Sequence, residues 1–216
     1  MVGRQQQMAQ WPIARAMKEA FTRRNWTSIL LGLLIFFGFL IAIIDLLSHP
    51  DLYQRDFQTY YYAGKAIAED LNPYDLDVLS RLASTPLVHK FVYPPITLPL
   101  FKFLPLIEYT TAYYLYLVIK GIALIGLFVL WKNSFLPRAG LTFLLFCLIA
   151  YNSAIYIDFR VGNISIFEQI LLWTSFLFLI REQTLKSALL ILVVSCFKIT
   201  PILFLSLLLL SKDKRR

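Results

Sequence analysis

Cysteine and histidine are scarce, with two of each in 216 residues. Cys147 and Cys196 both fall inside apolar runs, where a thiol behaves as a small hydrophobe, so no disulfide framework is expected. His49 and His89 stand far apart, and no cluster of His, Cys and acids has metal-ligand spacing, which argues against a dedicated metal site. A Walker-type loop and a Gly-rich dinucleotide turn are both missing, and nucleotide-sugar donors are thereby disfavoured. Charge is thin as well. Only 16% of the residues are Asp, Glu, Lys or Arg, below the share usual in soluble domains.

What fills the chain instead is apolar: 58% of it is hydrophobic, 16% is aromatic and the mean hydropathy is +0.64. That composition implies an integral membrane protein. Residues 27–47 (TSILLGLLIFFGFLIAIIDLL) form a first span, since about 20 helical residues cross a hydrocarbon core of about 30 Å. The run is too long for a signal-peptide core and has no small-residue cleavage site, so it reads as an uncleaved anchor.

The formal net charge of +8 suggests nucleic acid at first sight, but the placement of the cations gives a simpler account. Arg4, Arg15, Lys18, Arg23 and Arg24 precede the first span, Lys132 and Arg138 lie in one short connection, and Arg181 and Lys186 lie in another. The positive-inside rule puts all three groups, and the N-terminus, in the cytoplasm. No nucleic-acid partner is expected; the bilayer is the partner.

The division that follows is a cytoplasmic amphipathic N-terminus over 1–26, a first transmembrane helix over 27–48, a non-cytoplasmic loop with an interfacial helix over 49–108, and a transmembrane bundle with a basic tail over 109–216. In the first of these, Trp11, Ala14, Met17 and Phe21 share one helical face. The segment suits a helix on the anionic leaflet or, equally, a frayed basic terminus that only sets topology.

Further spans are expected at about 109–131, 140–157 and 164–180. The last apolar run, 187–210, has Lys186 before it and KDKRR after it. One crossing would export the basic tail, whereas two half-helices broken at CFKITP by Lys198 and Pro201 would keep both ends inside. The fold class is therefore all-α: a polytopic membrane protein of four spans and a broken fifth segment.

The loop holds seven of the ten prolines and is net acidic. Its stretch RDFQTYYYAGKAIAEDLNPYD, at 55–75, places Phe57, Tyr60, Tyr61, Gly64, Ile67 and Ala68 on one face of a helix over 56–71, towards the membrane or neighbouring helices, with Lys65, Glu69 and Asp70 towards water. NPYD stops that helix, because the residue before Pro73 is pushed out of the helical region. Further on, FVYPPITLPLFKFLP carries prolines at 94, 95, 99 and 105 and cannot be one continuous helix.

An acid leading DFQTYYYAGKAIAEDLNPYD, then FVYPP, then Gly162-Asn163 opening a span, then KITP at 198–201, resembles in order the polyprenol-phosphate-mannose-dependent glycosyltransferases of family 87. The resemblance implies the integral-membrane GT-C fold. It also implies transfer of a sugar, a mannose-like hexose, from a polyprenyl-phosphate donor to an acceptor hydroxyl on the non-cytoplasmic face of a bacterial inner membrane. No cofactor beyond that lipid-linked donor is implied. Members of the family are commonly longer, so the chain is expected to be an N-terminal half, a split enzyme that needs a second membrane subunit, or an inactive relative.

In that family the acid after the first span, here Asp56, is the general base, and a carboxylate within reach of a sugar hydroxyl can take its proton. Cations near the leaving phosphate stabilise its growing charge. Lys198 of the Lys-x-x-Pro pattern, Arg160, and His89 or Lys90 are the available donors, with Asn163 at the turn and Tyr93 as an aromatic contact for sugar.

Each residue also has a plainer reading. Asp56 complements the first-turn amides of a helix, Arg160 pairs with Asp158 in a solvated turn, and tyrosines anchor at interfaces. Asp45, Lys120 and Lys198 lie within apolar runs, where an ionisable group needs a partner or a wet pocket. Two rival functions stay open: a transporter subunit with Lys120 and Lys198 along its pathway, and a non-catalytic membrane partner.

Overall fold

The computed structural model describes residues 12–49, 52–138 and 155–210, and every regular element among them is helical. The chain opens with α1, Pro12–Ser48, whose proline occupies the first helical position, where its missing N–H removes no helical bond. The helix is continuous, so residues 12–26 of the expected N-terminal segment and the first span form one rod, and residues 1–11 of that segment lie outside the described residues. Its part Ile29–Ser48 is long and apolar enough to cross a membrane, and most of its large side chains, Leu30, Leu34 and Ile41 among them, face outward.

The loop that follows is built rather than loose. Helix α2, Arg55–Ala68, starts after Gln54, which takes the left-handed conformation, and ends at the Glu69–Asp70 turn, slightly before its expected limit. Its buried residues include Phe57, Tyr60, Tyr61 and Gly64, as the spacing requires, but also Thr59, Ala63 and Ala66. The reason is that α2 is enclosed on two sides. Tyr60, Ala63 and Ala66 enter a cluster with Val78, Leu79, Phe91, Tyr93 and Phe101. Phe57 and Tyr61 enter another with Leu46, Tyr113, Leu117 and Phe159.

Helix α3, Leu76–Ala83, was not legible as an apolar period, yet Asp75 caps it by accepting from the backbone N–H of Asp77 at 2.9 Å. The proline-rich run breaks as expected into a 3₁₀ turn at Pro95–Thr97, the single turn α4 at Leu98–Phe101, and a second 3₁₀ turn at Leu104–Leu106.

Helix α5, Tyr109–Leu130, is capped by the Glu108 carboxylate, which accepts from Thr110 N at 3.0 Å and Thr111 N at 3.1 Å. Together with the π turn after it, Tyr109–Phe135 is the second helix long and apolar enough to span. The expected third span at 140–157 lies, but for its last residues, outside the described residues. Then come α6, Ile157–Val161, and α7, Ser165–Ile180. The last run divides where CFKITP predicted, into α8, Thr184–Ser195, a 3₁₀ stretch Thr200–Leu205, and α9, Ser206–Leu210. With 16 and 12 residues, α7 and α8 fall short of the roughly 20 that a straight crossing needs. Helix α7 packs between α5 and α8, and α2 touches α3, α4 and α6.

Candidate active site

The site forms where the start of α2 meets the α6–α7 turn. Gln54, fully buried, donates from its backbone N–H to Arg160 O at 2.8 Å and from Nε2 to Phe159 O. Opposite it, Gly162 sits at φ 80°, and a Cβ there would meet Gln54 Oε1 at 2.5 Å and Phe57 Cβ at 2.9 Å. Only glycine satisfies both the backbone conformation and the close approach.

The turn is held from below by α5. The Lys120 ammonium, with no exposed surface, contacts Asp158 Oδ2 at 2.7 Å and donates to Asp158 O at 2.6 Å and Asn163 O at 2.7 Å. Tyr116 OH donates to Gly162 O at 3.0 Å while its ring stacks on Phe57 at 4.5 Å. These bonds satisfy the Gly162 and Asn163 carbonyls in the turn after α6. Lys120 is thus fully buried against three oxygens, two hydrogen-bonded carbonyls and the paired Asp158 carboxylate. Burial pushes the Asp158 carboxyl above its usual range, with Lys120 opposing the shift.

This scaffold presents Asn163 to Asp56. Asn163 Nδ2 donates to Asp56 Oδ2 at 2.8 Å, and Asn163 Oδ1 accepts from Ser165 N at 3.1 Å and Ser165 Oγ at 2.7 Å. Ser165 Oγ in turn accepts from Lys198 Nζ at 2.6 Å, and Lys198 pairs with Glu168 Oε2 at 2.8 Å. Residues remote in sequence, Asp56, Asn163 and Lys198, are thus joined by one chain of polar contacts running through Ser165.

A cavity of about 460 Å³ opens above Asp56 and Asn163, bounded also by Thr59, Tyr60, His89, Lys90 and Tyr93. Its aromatic wall is fixed: Tyr60 OH and Tyr93 OH are 2.9 Å apart, Tyr93 O accepts from Tyr74 OH at 3.0 Å, and the Tyr93 ring stacks on Phe101. Burial pushes the Tyr93 hydroxyl up to about 12 and raises Tyr60 further, so both stay protonated near neutrality. One O–H of the pair is used between them, and the other can donate into the cavity.

Of the residues singled out in the sequence, Asp56, Asn163, His89 and Tyr93 line this cavity. Lys198 joins it through Ser165. Arg160 does not line it; the side chain is exposed and its guanidinium lies 5.1 Å from the Tyr53 ring centroid. Asp45 is also occupied elsewhere, accepting from Tyr53 OH at 2.6 Å with His49 at 3.1 Å.

Gln54, Thr59, Tyr60, Ser165 and Glu168 were missed in the sequence. Glu168 carried a readable signal, an acid inside an apolar run with a lysine in another run needing a partner. The remaining four are polar residues of ordinary spacing, and only the fold gives them meaning.

The model of glycosyltransferase family 87 matches residues 91–216, more than half of the chain. That stretch includes Tyr93, Asn163, Ser165 and Lys198, and Asp56 precedes it. No curated protein and no solved structure matches the chain. The two long apolar helices fit the membrane enzymes of that family. With more than half of the chain matched, Asn163, Ser165 and Lys198 included, the protein belongs to glycosyltransferase family 87.

Proposed function

We propose that the protein moves a mannose-like hexose from a polyprenyl-phosphate carrier to an acceptor hydroxyl on the non-cytoplasmic face, with Asp56 as general base. The observation that carries this reading is the state of the Asp56 carboxylate. Asn163 engages Oδ2, while Oδ1 has no partner among the described residues and the group borders the cavity. In the transfer the acceptor oxygen bonds to the anomeric carbon, its proton passes to Asp56, and the bond from that carbon to the phosphate oxygen breaks.

The leaving phosphate needs cations. Lys90 and His89 border the cavity. Lys198, 44% exposed at the side chain, uses Ser165 and Glu168 as partners, which leaves one of its three N–H groups for the phosphate. The donor is itself the activated species, so no other cofactor enters. The saturated, fully buried Lys120 argues against a transport pathway through that residue.

The test is reconstituted transfer from a polyprenyl-phosphate hexose. Asp56→Asn keeps the shape and is expected to lower kcat by roughly 10²–10⁴-fold. Undiminished turnover in that variant would remove Asp56 from the role.

A further inference from the structure

A second cavity, of about 430 Å³, lies between α2 and residues 102–106. At about 100° per residue, Asp56, Thr59 and Tyr60 project to one side of α2, and Tyr61, Lys65 and Glu69 project to the other. The helix thus separates the two hollows.

The second hollow combines two chemistries. Lys65 and Lys102 bring ammonium groups with no ion-pair partner among the described residues, against a single acid, Glu69. Beside them Phe103 and Leu106 leave 69% and 77% of their surface open. The hollow also abuts the start of the Tyr109–Phe135 helix, since Tyr61 OH donates to Ile107 O at 2.9 Å and the Tyr62 ring stacks on Tyr109. When that helix crosses a bilayer, its first residues stand at headgroup depth.

We propose that this cavity binds the headgroup of an anionic phospholipid, with Lys65 and Lys102 on the phosphodiester and Phe103 and Leu106 against the start of the acyl chains. Two unpaired cations facing one carboxylate favour a lipid of net negative charge over a zwitterionic one. The site does not depend on the transfer reaction, because no residue borders both cavities.

The full chain, extracted from bilayers of equal phosphatidylglycerol and phosphatidylcholine, is examined by native mass spectrometry for retained lipid. Enrichment of phosphatidylglycerol is expected. Lys65→Gln with Lys102→Gln should cut it by roughly tenfold or more, and Lys102→Gln alone, at an exposed position, by roughly fivefold. Glu69→Gln should raise it.

Equal retention of the two lipids, or undiminished enrichment in the lysine variants, overturns the proposal. Add-back to delipidated protein separates the sources. A rise in Tm with phosphatidylglycerol but not with inorganic phosphate supports a lipid site, and an equal rise with both overturns it in favour of a free anion.

Discussion

At Gly162 the positive φ of 80° and the 2.5 Å approach of Gln54 Oε1 act together, so Gly162→Ala should destabilise the protein by roughly 2–4 kcal/mol, measured by thermal unfolding in detergent. Asn163 behaves differently. Its carbonyl is held by Lys120 and Tyr116 whatever its side chain, and so Asn163→Ala should leave the turn in place while freeing the Asp56 carboxylate. The expected result is a fall in kcat of about ten- to a hundredfold with only a modest fall in Tm, from the bond that Ser165 N loses at the start of α7. Lys120 and Asp158 make a third case. Lys120→Met alone leaves a buried carboxylate unpaired and should destabilise by about 3–5 kcal/mol, whereas adding Asp158→Asn should recover part of the loss; unfolding of the two variants side by side checks it.

The elements are joined by a few close approaches. A Cβ at position 64 would collide with Phe101 O, so glycine is what lets α2 lie against the broken proline-rich run and bring Tyr60 onto Tyr93. The other joint is the start of α5. Hydrogen bonds from Thr110 and Thr111 hold the exposed Glu108 carboxyl below its ordinary value of 4.5. A depressed folded-state value means that the cap stabilises fully above about 4.5 and that its contribution is lost as pH falls through the folded value. Glu108→Gln should therefore lower Tm at neutral pH, and the gap from the wild type should close on acidification below that window.

For the molecule as a whole, two rods, Ile29–Ser48 and Tyr109–Phe135, are long and apolar enough to cross a bilayer, and the 52–108 segment with its cavity joins them. If the N-terminus is cytoplasmic, as the cations near the first rod imply, then a thiol at Val88→Cys, at an exposed cavity residue, is labelled by an impermeant maleimide in intact cells. Lys132→Cys, at the far end of the second rod, is labelled only after permeabilisation. The reverse pattern would place the cavity on the cytoplasmic side and remove the non-cytoplasmic acceptor from the proposed reaction.

The positions of the apolar rods, the breaks at NPYD and CFKITP and the start of α5 could all be read from the sequence, because hydropathy and proline act within a few residues of where they stand. So could Asp56, Asn163 and Lys198 as separate candidates. Four aromatic rings in six residues of α2 raised the expectation of an interfacial anchor, yet Phe57, Tyr60 and Tyr61 are buried in two protein clusters, because which surface a ring meets depends on elements far along the chain. Tertiary structure alone decided that Ser165 links Lys198 to Asn163, that Glu168 pairs with Lys198, that Lys120 holds the turn after α6, and that α2 has a hollow on each side. Spacing fixes which side chains share a face; only packing fixes what faces them.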